Sequence, residues 1–253
     1  MDETVRIAMW SGPRALSTAL MRAWENRPDC TVVDEPLYAA YLAETGLDHP
    51  MQAEVLAAQP QNAAVVANQM ITIAGAPVIY QKHMSHHLLP DMPRGWIDQL
   101  SNAFLIRDPR RVLASYDQKR AAPTLTDIGI KQQVELFDRL AERNGKAPPV
   151  IDADDLQQAP QLALNALCEA LDVPFRPEML SWSPGPRESD GVWAPHWYDL
   201  VWRSTGFAPP KPRSITLDSR LAKLAETAMP FYEKLAAYRL DLAAPSTETS
   251  PNE

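Results

Sequence analysis

Cysteine is scarce in this chain: Cys30 and Cys168 are the only two in 253 residues. They have neither the number nor the spacing of a disulfide framework or a zinc site, and they read as buried free thiols. Basic charge is also in deficit. With 24 Lys and Arg against 32 Asp and Glu, the net charge is -8. That balance argues against general affinity for nucleic acid or anionic lipid, so any anion site has to be local. No apolar run is long enough to cross a bilayer and no basic-then-apolar segment opens the chain, so a soluble, cytoplasmic protein without a membrane partner is expected. The Gly-Lys-Ser/Thr triplet of nucleotide-binding phosphate loops is missing as well.

What the chain does have is 45% hydrophobic content, enough to bury the core of one α/β domain, expected over residues 1–242. Short apolar runs at Val5 to Trp10, Cys30 to Val33, Pro77 to Gln81, Ala103 to Ile106 and Pro149 to Asp152 predict strands. Helical patterns alternate with them: from Ser17, from Pro36, Met51 to Ile73, Pro109 to Ala114, Thr126 to Arg143, Gln161 to Leu171, and Asp218 to Leu240 with a kink or break at Pro230. Strands joined by helical crossovers predict a three-layer α/β/α fold around a central parallel sheet, with ligands at the carboxyl ends of the strands. Residues 181–213 form a Trp- and Pro-rich excursion with a short helix around His196 to Arg203, expected to pack over the site. The Ser/Thr/Pro/Glu-rich tail 243–253 is expected to be disordered.

The first strand runs through Ser11-Gly-Pro-Arg-Ala-Leu-Ser-Thr18 into a helix. A helix start offers unpaired N–H groups and the positive end of its dipole, so phosphate or sulfate can be held there without a metal. Ser17 and Thr18 are placed to cap that helix, and Arg14 adds a forked cation. Without the lysine and magnesium hydroxyl of a phosphate loop, the site suits a sulfuryl group better than the more highly charged phosphoryl group.

Three further stretches fall in a fixed order after this loop: Gln81-Lys-His-Met-Ser-His-His-Leu-Leu-Pro90, Phe104-Leu-Ile-Arg-Asp-Pro-Arg-Arg-Val-Leu-Ala-Ser-Tyr116 and Val150-Ile-Asp-Ala-Asp-Asp-Leu156. With the loop, they resemble the sulfotransferases that use 3'-phosphoadenosine 5'-phosphosulfate (PAPS), over most of Val5 to Met179. The resemblance implies a P-loop-like sulfotransferase architecture and sulfuryl transfer from PAPS, without a metal, to a hydroxyl or amine of a small-molecule, sugar or lipid acceptor. It places the 5'-phosphosulfate on the loop of Arg14, Ala15, Leu16, Ser17 and Thr18, where Ala15 and Leu16 depart from the family's serine and glycine. It places the 3'-phosphate on Arg107 and Ser115, so that two separated cationic sites grip opposite ends of one donor. Arg187 is the nearest counterpart of the family's closing donor motif.

His83 falls where many members place a catalytic base, with Lys82 beside it to neutralise the transferring group and Glu35, in Asp34-Glu-Pro-Leu37, as the rival base. Asp154 or Asp155 is expected to cap the following helix. His83, His86 and His87 have a spacing compatible with a metal, but no acidic or cysteine ligand is fixed beside them, and His86 and His87 read as exposed. Two other functions remain open at this point. Thr31 to Glu35 resembles a strand ending in a magnesium-supporting acid, as in a phosphotransferase or nucleotide hydrolase, and the altered loop is compatible with a nucleotide-binding protein that has no turnover.

Overall fold

The computed structural model describes residues 4–116, 123–209 and 215–242. Its elements follow one another as β1 (Val5–Ser11), α1 (Ser17–Glu25), β2 (Cys30–Asp34), α2 (Tyr38–Thr45), α3 (Gln52–Ala58), α4 (Ala63–Thr72), β3 (Val78–Met84), β4 (Ser101–Ile106), α5 (Pro109–Tyr116), α6 (Leu125–Ile128), α7 (Ile130–Asn144), β5 (Val150–Asp152), α8 (Ala153–Gln158), α9 (Pro160–Ala170), α10 (Ala194–Trp197), α11 (Asp199–Trp202) and α12 (Ser219–Ala236). The five strands pair in the order β2-β3-β1-β4-β5, all parallel. No helix among the described residues is long and apolar enough to cross a membrane.

Alternation along β1 divides the core into two layers. Ile7 and Met9 pack with Leu20 and Trp24 of α1 and Leu164 and Leu167 of α9. Ala8 and Trp10 point the other way, toward Phe137 of α7 and Leu221 of α12. Each fully buried side chain of this kind contributes about 1.5–3 kcal/mol. The sheet is therefore covered on both faces, as an all-parallel sheet requires.

The chain leaves β1 toward β2 on one side and returns to β4 on the other, so the sheet changes direction beside β1, and the loops after β1 and β4 flank a crevice. Gln133 of α7, buried beneath this point, donates from Nε2 to the carbonyls of Trp10 and Leu105, each at 3.0 Å. Gly12 lies where a Cβ would sit 2.3 Å from the Ile128 carbonyl, so only glycine lets α6 close over the loop.

Several elements differ from the sequence reading. Met51 to Ile73 is two helices: α3 ends before Pro60, and Asn62 caps α4 by accepting from the N–H groups of Ala64 and Val65. Gly129, at φ 70°, breaks the long amphipathic stretch into α6 and α7. Pro230 does not split α12, which continues through it to Ala236. The excursion holds two short helices, α10 and α11, instead of one. Asp152, not Asp154 or Asp155, caps α8 by accepting from the Asp154 N–H. Cys168 is buried as expected, whereas Cys30 is partly exposed. Residues 210–213 of the excursion and the tail 243–253 lie outside the described residues.

Candidate active site

α1 starts without a side-chain cap. Leu16 stands at the cap position with φ 64° and ψ 15°, and Arg14 has φ 60°. Left-handed backbone at non-glycine residues costs about 1–2 kcal/mol each and concentrates at functional sites. Ser17 and Thr18 therefore do not cap the helix, and their side chains line a cavity of about 880 Å³.

Arg14, Arg107 and Ser115 line the same cavity. Arg14 donates from Nε to Ser115 Oγ at 3.0 Å, and Arg107 donates from Nη1 to the Arg14 carbonyl at 2.6 Å. The expected pair of separated cationic sites is thus one linked cluster, with the Arg14 side chain turned toward the end of α5. Burial lowers the Arg107 pKa from its ordinary value, Asp154 opposes that effect, and Arg111 and Arg14 reinforce it. The buried Nε of Arg107 has no hydrogen-bond partner among the described residues. Arg111 also lines the cavity, with its Nε 3.1 Å from Asp154 Oδ2.

A second cluster joins the ends of β2 and β3 to the excursion. Lys82, 1% exposed, donates to Asp34 Oδ1 at 2.8 Å, Glu35 Oε1 at 2.5 Å and Tyr198 Oη at 2.7 Å. Tyr198 Oη donates to Asp34 Oδ2 at 2.7 Å and accepts from Trp193 Nε1 at 3.1 Å. The Gly191 N–H completes Asp34 Oδ2 at 3.1 Å. An ammonium has three donors and all are engaged here, so Lys82 holds the two carboxylates and does not reach toward a transferring group as expected. Burial raises the Glu35 pKa above its ordinary value, against the lowering effect of Lys82. Burial also disfavours the Lys82 ammonium, but Asp34 and Glu35 outweigh it and raise its pKa.

Next to Glu35 lies a nest of rings. His86 and His87 are buried, contrary to the exposed placement expected, and both line the cavity. His87 stacks on Tyr38 and Tyr41 of α2, and Tyr38 Oη lies 3.0 Å from His49 Nδ1. Among the described residues no group of three or more His, Cys, Asp or Glu is arranged to hold a metal ion.

His83 is not in this site. β3 runs to Met84, and its register pairs His83 with Trp10 and Lys82 with Met9. Paired residues on parallel strands share a face. His83 therefore points into the opposite layer, stacked 4.4 Å from Trp10, with Nε2 3.1 Å from Gln81 Oε1. Burial lowers its pKa to about 3, so the ring is neutral and cut off from the cavity. Arg187 is also elsewhere: its N–H donates to Asp190 and its guanidinium lies 3.9 Å from Glu25, outside the cavity lining. Ala15 is buried in the α1-side core, while Leu16 reaches the cavity wall. The structure thus gathers Arg14, Leu16, Ser17, Thr18, Arg107, Ser115, Glu35 and Lys82 around one cavity. The excursion supplies Trp197, Tyr198 and Val201 to its wall, and Asp190 ties it down by accepting from Arg22 of α1 and Trp202 of α11. The sequence reading did not assign Asp34 or His87 to the site; the Trp-rich excursion expected over the site was the one signal for Trp197 and Tyr198.

The sequence profile of the sulfotransferase domain matches residues 5–239. This chain belongs to the sulfotransferase domain family. Two solved structures share the fold: the sulfotransferase domain from the curacin biosynthetic pathway, at 17% identity and TM-score 0.50 over 95% of this chain and 100% of that one, and a sulfotransferase from Alicyclobacillus acidocaldarius, at 10% identity and TM-score 0.54 over 93% and 95%. Among curated proteins, the branched-chain-amino-acid aminotransferase-like protein 1 of Arabidopsis thaliana is 39% identical over 239 residues, 94% of this chain and 43% of that relative. The chain therefore spans less than half the length of the curated relatives it matches. Membership in the family implies a PAPS cosubstrate.

Proposed function

We propose that this sulfotransferase-family chain transfers a sulfuryl group from PAPS to a small-molecule, sugar or lipid acceptor bound in the cavity. One observation carries the reading: Arg14, Arg107 and Ser115 are linked by hydrogen bonds on the wall of a cavity that Glu35 also lines. The residues fit the donor. Arg107 has an unpartnered buried Nε, Ser17 and Thr18 open the nine-residue α1, and the cavity is in the range of about 300–1,000 Å³ that suits a small ligand.

When bound, the donor supplies the sulfuryl group and departs as adenosine 3',5'-bisphosphate. Arg107 and Ser115 would hold its 3'-phosphate, and the Ser17 and Thr18 hydroxyls with the first N–H groups of α1 would hold its 5' end. Arg14, bonded to Ser115, would add its charge to this site. Glu35 accepts the acceptor's proton, for which its raised pKa suits it. Lys82 fixes the carboxylate through Oε1.

The phosphotransferase reading needs an acid at the end of β2 free to support magnesium. Both oxygens of Asp34 are already engaged, Oδ1 by Lys82 and Oδ2 by Tyr198 and Gly191. Thermal melting tests the choice, since a ligand at a hundred times its Kd adds about 2.7 kcal/mol of stability. Adenosine 3',5'-bisphosphate is expected to raise Tm without magnesium. Stabilisation by ATP with magnesium, and none by the bisphosphate, would overturn the proposal.

A further inference from the structure

Resting on the transferase reading, we propose that Glu35 and His87 select the acceptor by its reacting group: the site takes a hydroxyl, oriented by His87, and discriminates against an alkylammonium. Nδ1 of His87 lies 4.0 Å from Oε2 of Glu35. That is too long for a hydrogen bond between them, and a hydroxyl oxygen about 2.8 Å from each would bridge the two. Both residues line the cavity. His87 is 2% exposed, and its Nδ1 has no hydrogen-bond partner among the described residues. Its ring stacks on Tyr38 at 4.6 Å and 13° and on Tyr41 at 4.8 Å and 25°, which fixes its plane and the direction of Nδ1.

The donor and acceptor inventory then decides the chemistry. Oε1 of Glu35 is taken by Lys82, so Oε2 is the oxygen open to an acceptor. Burial, with His86, His49, Lys82 and His83 nearby, keeps the His87 pKa well below the usual imidazole range, so the ring is neutral and carries one N–H. A carboxylate beside one ring nitrogen favours the proton on that nitrogen, which makes Nδ1 a donor. The pair therefore presents one donor and one acceptor. A hydroxyl satisfies both: a lone pair receives the Nδ1–H while its O–H points at Oε2. An alkylammonium has donors only and would set N–H against N–H, beside the Lys82 cation.

In the transfer, the acceptor's O–S bond forms as the S–O bond to the 5'-phosphate breaks. The electron pair of that bond leaves with adenosine 3',5'-bisphosphate, the hydroxyl proton passes to Glu35 Oε2, and His87 keeps its own proton.

Nitrogen-15 NMR of histidine-labelled protein at neutral pH, with His87→Phe to assign the signal, should show His87 protonated at Nδ1 alone. Protonation at Nε2 alone, or at both nitrogens, overturns the proposal. PAPS turnover is then measured on matched pairs such as benzyl alcohol with benzylamine and cyclohexylmethanol with cyclohexylmethylamine. Alcohols should be sulfated in preference to their amines. His87→Phe should lower kcat on the alcohols on the order of 10²-fold through lost orientation. His87→Gln, which keeps an N–H, should recover part of the loss, and both variants should bind adenosine 3',5'-bisphosphate as the wild type does. An amine turned over as fast as its alcohol, or an unaffected His87→Phe, refutes the selection while leaving the transferase reading in place. Failure of the wild type to bind the bisphosphate, or turnover of no member of any pair, refutes the transferase reading and this proposal with it.

Discussion

Replacing Lys82 by methionine removes the cation that holds Asp34 and Glu35 and keeps most of the side-chain volume. Three hydrogen bonds of 2.5–2.8 Å are lost, and two carboxylates, 6% and 9% exposed, are left facing each other. Breaking a buried ion pair from one side costs about 3–5 kcal/mol, because the surviving charge is neither solvated nor paired. The sign of the pH dependence follows from Glu35. Its folded pKa already lies above the ordinary 4.5, and without Lys82 it rises further. A carboxylate raised in this way binds its proton more tightly in the folded state, so its ionisation destabilises the fold, and the penalty is relieved as pH falls through the folded pKa toward 4.5. Lys82's own contribution is full below its unfolded value of 10.5 and lost only as pH rises through the higher folded value. It is therefore missing from the variant equally at both acidic and neutral pH, and the difference between the two reports Glu35. Urea unfolding should show a deficit of about 3–5 kcal/mol near pH 8 that shrinks by about 1.4 kcal/mol for each pH unit between the variant's Glu35 pKa and the lower wild-type one. A second change, Glu35→Gln in the same background, should restore much of the loss at pH 8. A deficit under about 1 kcal/mol, or one equal at pH 5 and pH 8, refutes the reasoning.

Arg107→Met should weaken binding of adenosine 3',5'-bisphosphate by about 10- to 100-fold in calorimetry, as loss of a charged hydrogen-bonding partner does, and Ser115→Ala by less. Wild-type affinity in Arg107→Met would remove Arg107 from the donor site. His83→Phe keeps the stack on Trp10 and should leave turnover near wild type, while the orphaned Gln81 Oε1 costs about 1–3 kcal/mol of stability; a large fall in kcat without unfolding would return His83 to the mechanism. Gly191→Ala would place a Cβ 2.1 Å from the Trp193 ring, so overpacking should cost about 1–3 kcal/mol and loosen the bond from Gly191 to Asp34. A Tm unchanged in that variant would mean that the excursion yields freely.

The strand-and-helix alternation was readable because each strand is a compact apolar run and each crossover helix has its own apolar stripe. The loop after β1 and the placement of Arg107 and Ser115 beside one cavity were readable because eight residues of strand end and helix set their separation locally. His83 misled because all seven residues of β3 are buried, so no polar alternation marks which face a side chain takes; only the register with β1 decides it. Pro60 and Gly129 break helices inside continuous amphipathic patterns, and the periodicity outweighed those single residues. The Lys82 cluster was hidden for another reason: Asp34, Lys82 and Tyr198 lie 48 and 116 positions apart along the chain, and only tertiary packing brings their polar atoms together.

Gln133 ties together the two central strands from which the Arg14 and Arg107 loops emerge. A rearrangement that drew one loop away from the other would have to break a buried amide's bonds to two main-chain carbonyls. The jaws of the proposed anion site are therefore aligned while the chain folds, before any ligand arrives, and little ordering entropy is left for the encounter itself. Such a site should capture its anion by diffusion into a standing mould, so that adjustment during catalysis falls to the acceptor side of the cavity.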